Sequence, residues 1–154
     1  MEKVYLRYPK DSEAAIFYAL ALNTTALPTD KTYAQQLKAA AILEKVFKTQ
    51  PQHPGVAHYL IHSYDYPPIA KQGLPAARLY AGIAPAAPHA LHMPSHIFTR
   101  QGFWQEAIDA NRASKNSTAD HFDQLHAMDY LMYAYLQTGQ YHQAQLIRDE
   151  VLAL

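Results

Sequence analysis

The sequence predicts an all-α protein, and three observations support this prediction. Apolar residues recur with helical periodicity along most of the 154-residue chain. Ala, the residue with the highest helix propensity, is abundant, and no segment has a convincing strand pattern. Short breaks separate the periodic segments, so we expect consecutive helices to pair as antiparallel hairpins.

The periodic segments number eight, and several carry recognisable end signals. The first begins at Asp11 or Ser12, either of which is a suitable N-cap, and extends to about Ala26. Pro51 follows the second segment, and Pro54 lies at the first position of the third. The eight segments begin with DSEAAIFY, YAQQLKAA, HPGVAHYL, LPAARLYA, HALHMPSH, FWQEAIDA, HFDQLHAM and QYHQAQLI.

Composition excludes several classes of protein. Hydrophobic residues make up 49% of the chain, which is too many for a disordered protein. Thirteen basic residues balance thirteen acidic ones without a basic stripe, so nucleic acid is not an expected partner. The sequence contains no run of about 18 apolar residues, so we do not expect it to insert into a membrane. The lack of Cys excludes disulfides and Cys-ligated zinc but does not fix the compartment, since a longer parent protein could carry a signal peptide.

Two stretches of the chain align as an internal repeat. HIFTRQGFWQEAI and YAYLQTGQYHQAQ both place Gly four residues after an aromatic residue and Ala five residues after that Gly. Gly can end the first helix of a hairpin with positive φ, and a small Ala lets the second helix pack closely. The matched pairs are Phe98 with Tyr135, Gly102 with Gly139, and Ala107 with Ala144.

This pattern resembles the tetratricopeptide repeat (TPR), a helix–turn–helix unit of about 34 residues. The resemblance implies a right-handed α-solenoid of about four hairpins in one domain, residues 1–154, with units at 11–51, 53–85, 88–120 and 121–154. The stretches HPGVAHYLIHSYD and APHALHMPSHIFTRQG also resemble a bacterial TPR subfamily, which adds no activity. Because the apolar end VLAL would leave a terminal face uncovered, we expect a fragment of a longer protein or self-association.

The resemblance also implies where a ligand would bind. In this family the first helix of each unit, helix A, lines a concave groove. Independently of the family, His58 and His62 are four residues apart, as are His92 and His96, so each pair shares a helix face. The residues at groove positions, or beside them, are His58, His62, Asp65, His89, His92, His96, Arg100, His126, Asp129 and Tyr133.

Three interpretations of these histidines remain open. They form a hydrogen-bonded groove lining, they contact a bound peptide or its carboxylate, or they bind a metal such as zinc, with His58, His62, His92 and His96 as candidate ligands. We predict a protein-interaction scaffold whose partner is a protein or peptide. No cofactor is expected unless zinc binds. The chain lacks a nucleophile elbow, a phosphate-binding glycine loop and an HExxH sequence, so no enzyme activity is predicted.

Pro94 complicates the helix that carries three of these histidines. It either kinks the helix or marks a later start, and a later start would turn His92 away from His96. Arg100 has an alternative structural role as a partner of Asp65 or Glu106. Tyr130, Tyr135 and Tyr141 are interpreted as packing residues. The imidazoles are expected to make ligand binding depend on pH between pH 5 and 7.5.

Overall fold

The computed structural model describes all 154 residues, and every regular element is helical. No helix has both the length and the apolar character needed to cross a membrane. A 3₁₀ helix spans Ala70–Gly73 and leads directly into the α-helix Leu74–Ile83. The ten α-helices are α1 Glu2–Arg7, α2 Ser12–Thr24, α3 Ala34–Thr49, α4 Pro54–Tyr64, α5 Leu74–Ile83, α6 Pro88–His92, α7 Pro94–Gln101, α8 Trp104–Asn116, α9 His121–Gln137 and α10 Tyr141–Ala153.

Several helix ends follow the chemistry of their sequences. Asp11 caps α2, where its carboxylate accepts a hydrogen bond from the Ala14 backbone N–H at 3.1 Å. His53 caps α4 in the same way, because its ring Nδ1 accepts a hydrogen bond from the Val56 backbone N–H at 3.3 Å. Gly102 and Gly139 follow α7 and α9 with φ angles of 73° and 71°, so the predicted role of both glycines is confirmed.

Consecutive helices pack as antiparallel hairpins, and each hairpin stacks on the next. Helix α2 packs against α3, α4 against α5, α6 and α7 against α8, and α9 against α10. Helices α3 and α4, and helices α8 and α9, join successive hairpins. Ala107 and Ala144 are buried at these contacts, where a small side chain permits a close approach. The all-α helical-repeat architecture predicted from the sequence is therefore confirmed.

The buried apolar residues form two clusters. The larger contains 24 residues and extends from α2 to α8, whereas the smaller contains seven and joins α8 to α10. Gly73 belongs to a tight contact within the larger region, because a Cβ atom there would lie 2.8 Å from Cδ1 of Ile97 and 3.1 Å from Cβ of Tyr64. This contact seats the 3₁₀ helix against α4 and α7.

The expectation of eight helices is wrong in two places. A short helix, α1, precedes the first predicted helix. Pro94 divides the fifth predicted helix into α6 and α7, because its ring nitrogen cannot donate a backbone hydrogen bond. Met93 between them keeps right-handed helical angles, φ −51° and ψ −38°, so the chain continues in a helical path. The late helix start that would separate His92 from His96 does not occur.

Candidate functional site

Six histidines from four helices form one continuous cluster. The ring centroids of His92 and His126 lie 4.3 Å apart, and those of His58 and His89 lie 5.2 Å apart. A separation of 6.2 Å between His62 and His96 links helix α4 to helix α7. The members are His58 and His62 on α4, His89 and His92 on α6, His96 on α7, and His126 on α9.

The inner triad consists of His92, His96 and His126. The Nε2 atoms of His92 and His96 lie 3.0 Å apart, and one ring nitrogen from each of the three residues lies within 4.8 Å of the others. His92 is only 1% exposed, and the His96 side chain is 13% exposed. The inner triad therefore brings three ring nitrogens together at a largely buried position.

Two polar side chains form hydrogen bonds with rings of the inner triad. His92 donates through Nδ1 to the Asn111 side-chain oxygen at 2.6 Å, and Asn111 is fully buried. His96 donates through Nδ1 to the Asp65 carboxylate at 2.8 Å, and the Tyr130 hydroxyl lies 3.1 Å from the same nitrogen. These bonds fix the orientation of both rings.

The outer triad consists of His58, His62 and His89, whose ring nitrogens also lie within 4.8 Å of one another. The Nε2 atoms of His58 and His62 are 3.1 Å apart. Its hydrogen bonding is weaker, because the one side-chain hydrogen bond from outside the histidines is a long 3.4 Å approach of the Tyr80 hydroxyl to Nδ1 of His58. His58 is half-buried and His89 is exposed.

Burial determines the electrostatics of the cluster. Burial, together with repulsion from neighbouring imidazoles, lowers the pKa of His58 and of His92 to about 3. Both rings are therefore neutral between pH 5 and 7.5, so these two histidines do not contribute to the predicted pH dependence of ligand binding, which stays a prediction. Burial also raises the pKa of the Asp65 carboxyl, but hydrogen bonds and charge from His96 and Arg100 outweigh it, and the net pKa is lowered.

A pocket of about 420 Å³ adjoins the inner triad. Arg100 donates through Nε to Asp65 at 2.8 Å, which is one of the two predicted pairings, while Glu106 pairs with Arg78 instead. The terminal guanidinium nitrogens of Arg100 have no partner in the chain. The pocket is lined by Pro67, His96, Thr99, Arg100, Asp129, Tyr130 and Tyr133. All ten predicted site residues thus lie in the histidine cluster, in the Asp65 ion pair or in this pocket.

Two residues of the site, Tyr130 and Asn111, were not predicted from the sequence. Tyr130, interpreted as a packing residue, contacts His96 and lines the pocket. Its position four residues after His126 on α9 is the signal that places both on one helix face. Asn111 lies on the buried face of α8 with Ala107 and Ile108, so an amide among apolar positions is its signal. Of the other tyrosines, Tyr135 is buried as predicted, but Tyr141 is 67% exposed, so its packing role is wrong.

Stacked helical hairpins with aromatic, glycine and alanine residues at these positions define a TPR-like helical repeat protein. A solved structure of a mutant form of MamA, a TPR-like protein, superimposes with a TM-score of 0.73, covering 99% of this chain and 83% of that chain. The two sequences are 18% identical, so the likeness concerns the fold. No protein-family model matches the chain. No curated protein matches its sequence either.

Proposed function

We propose that this protein is a non-enzymatic interaction scaffold that binds an extended peptide or protein segment in the pocket beside the inner triad. TPR-like folds generally mediate protein–protein interaction, and this chain has that fold. The observation that carries the proposal is a set of polar groups in the pocket that have no partner within the chain, namely the terminal nitrogens of Arg100, the Asp129 carboxylate and the Tyr133 hydroxyl.

Arg100 is the main candidate for recognising the ligand. Asp65 uses only its Nε, which leaves the terminal nitrogens free to donate to a peptide carbonyl or carboxylate. The pairing also limits the rotation of the long side chain, which reduces the entropy lost on binding. We therefore propose that the ligand presents a carboxylate, either a C-terminus or an acidic side chain.

Asp129 and Tyr133 extend the binding surface along α9. Tyr133 is 48% exposed, and neither its hydroxyl nor the Asp129 carboxylate is hydrogen-bonded within the chain. Trp104 packs edge-on against the Tyr133 ring with a centroid distance of 5.9 Å, which supports the ring in place. A supported aromatic ring beside free polar groups suits a peptide with an apolar side chain and a polar backbone.

A displayed library of random peptides with free C-termini tests this function. Amidating the C-terminus of a selected peptide, or replacing an acidic residue that the selected peptides share by its amide, should weaken binding. Fluorescence polarisation should also show at least about tenfold weaker binding to the R100A and Y133A variants. R7A and Y8A, on an exposed segment outside the pocket, are matched controls that should bind as the parent does. Failure to select any peptide, or equal binding by all four variants, would contradict the proposal.

A further inference from the structure

We propose that the inner triad binds a divalent transition metal such as Zn²⁺, with His92, His96 and His126 as the protein ligands. The metal ligands would be ring nitrogens and not Arg100, Asp129 or Tyr133, so metal binding does not require the proposed peptide, although His96 also lines the pocket. Three nitrogen ligands with a further position left for water or another donor are a common zinc arrangement.

The hydrogen-bond network fixes the proton on His92. The side-chain amide nitrogen of Asn111 donates to the Ala107 carbonyl at 2.8 Å, so the Asn111 oxygen is the atom that faces His92. Because that oxygen can only accept, the Nδ1 atom of His92 must carry the hydrogen. The neutral ring then presents a lone pair at Nε2, which is the form that coordinates metals.

The same reasoning applies to His96. Its Nδ1 atom lies 2.8 Å from an Asp65 oxygen, and Arg100 binds the other oxygen of that carboxylate. An ionised carboxylate only accepts hydrogen bonds, so Nδ1 of His96 carries the hydrogen and its Nε2 is left for coordination. A carboxylate behind a histidine is also a frequent outer partner of zinc ligands, where it orients the ring and increases its basicity.

These two assignments leave two lone pairs facing each other across 3.0 Å. Such a contact is repulsive unless a cation lies between the nitrogens or beside them. Two Zn–N bonds of about 2.0–2.1 Å in a tetrahedron place their nitrogens roughly 3.3 Å apart, close to the observed separation. A shared proton is the other cation that would relieve the repulsion, and the experiment below separates it from a metal.

His126 completes the set from a different helix. Its ring lies 4.3 Å from the His92 ring, measured between centroids, and one of its ring nitrogens lies within 4.8 Å of a ring nitrogen of His92 and of His96. Small side-chain rotations would bring all three to coordination distance. Because His126 is on α9 and the others are on α6 and α7, metal binding would crosslink the third and fourth hairpins.

The outer triad does not meet the same conditions. No carboxylate or amide fixes a ring hydrogen there, so the rings can adopt tautomers in which one Nε2 donates to the other. A proton on either nitrogen then explains the 3.1 Å contact between His58 and His62 without a metal. We therefore assign the metal to the inner triad alone.

The test uses the full chain purified without a polyhistidine tag and stripped with a chelator. The parent should bind one equivalent of Co²⁺ with the visible absorption of a tetrahedral complex, and Zn²⁺ should displace it. His126→Gln should weaken Zn²⁺ binding by about 100-fold or more. His89→Gln in the outer triad and His142→Gln on the exposed face of α10 should leave it within about threefold of the parent.

Circular dichroism of each variant confirms that it is folded before its metal affinity is compared. A folded parent that binds neither Co²⁺ nor Zn²⁺ would overturn the proposal and assign the contact to a shared proton. Equal loss of affinity in His126→Gln and His142→Gln would also overturn it, because the metal would then be held by scattered surface histidines. A loss confined to His89→Gln would place the metal in the outer triad and contradict the assignment.

Discussion

The inner and outer triads contain the same three side chains at nearly the same separations, yet their surroundings differ. Each has a histidine pair four residues apart with Nε2 atoms 3.0 or 3.1 Å from each other. In the inner triad a buried amide and a carboxylate fix two of the three rings, whereas the one hydrogen-bond partner of the outer triad is a distant tyrosine hydroxyl. The hydrogen-bond partners of the rings, more than the number of histidines, therefore distinguish the proposed metal site from a histidine-rich surface.

The difference follows from where each triad lies in the repeat array. Behind the inner triad, helix α8 contributes Asn111 from the same hairpin, and the end of α4 contributes Asp65 from the preceding one. Behind the outer triad, helix α5 contributes Tyr80, whose hydroxyl lies at the limit of a hydrogen bond. Equivalent positions in neighbouring repeats can thus carry histidines that have different hydrogen-bond partners.

Removing the buried amide should have the largest effect on stability. Asn111→Ala leaves the Nδ1–H group of His92 without an acceptor and opens a small cavity, so we expect a loss of about 3 kcal/mol in the free energy of unfolding. Tyr80→Phe, the corresponding change behind the outer triad, should cost less than about 1 kcal/mol. Urea denaturation of the metal-free proteins measures both. Similar losses in the two variants would remove the distinction between the triads.

Asp65→Asn should weaken Zn²⁺ binding by about 10–100-fold, because His96 loses a charged acceptor that orients its ring. Arg100→Ala leaves that acceptor in place and should change metal affinity by less than about threefold while weakening peptide binding. Competition with a chromophoric zinc indicator measures the metal affinities. If Arg100→Ala weakened metal binding as much as Asp65→Asn does, the two proposed sites would not be independent.

The seating of α7 against α4 can be disturbed at one glycine. Gly73→Ala places a Cβ against Ile97 and Tyr64, so we expect a loss of about 1–2 kcal/mol in unfolding free energy. Gly82→Ala on α5 is the matched control, because nothing lies within 4 Å of its new Cβ. Its higher helix propensity should stabilise the protein by about 0.5–1 kcal/mol. Thermal unfolding of the two variants should therefore shift in opposite directions, and shifts in the same direction would contradict the close contact.

The stability of the metal-free protein should depend on pH below neutrality. His92 has a pKa of about 3 in the folded state, against about 6.5 when unfolded. The unfolded chain therefore binds more protons between these values, and stability is full above pH 6.5 and falls as pH drops toward 3. The slope from His92 is at most about 1.4 kcal/mol per pH unit, and the lowered pKa of Asp65 acts in the same direction at lower pH, because that carboxyl also binds its proton more readily in the unfolded chain.

Urea unfolding at pH 7.5, 6.0 and 5.0 in the presence of a chelator measures this dependence. His58→Gln should remove a smaller part of the slope, since His58 is half-buried and solvent screens its charge. Stability that is constant over this range, or that increases toward pH 5, would contradict the buried neutral state of His92.

Local patterns in the sequence determine much of the fold. Helical periodicity, the Asp11 cap and the glycines at 102 and 139 depend only on neighbouring residues, and each was predicted. The pairs of histidines four residues apart could be placed on helix faces for the same reason. Helix α1 was missed because it is six residues long and none of them is buried, so it leaves no strong apolar pattern.

The partners in the site were harder to predict because they come from other hairpins or other helices. Asn111 lies 19 residues from His92 and Asp65 lies 31 residues from His96, and no local periodicity relates such positions. Pro94 permitted two backbone paths, and packing of α6 and α7 against α8 selects one of them. The predicted quartet of metal ligands likewise joined residues that the structure divides between two triads, and it omitted His89 and His126.

Crystals of the tag-free protein soaked in Zn²⁺ provide the most direct measurement of the central claim. An anomalous difference map at the zinc absorption edge should show one strong peak about 2.0–2.2 Å from Nε2 of both His92 and His96, with His126 as the third ligand. A map with no peak there, or with its strongest peak among His58, His62 and His89, would contradict the account.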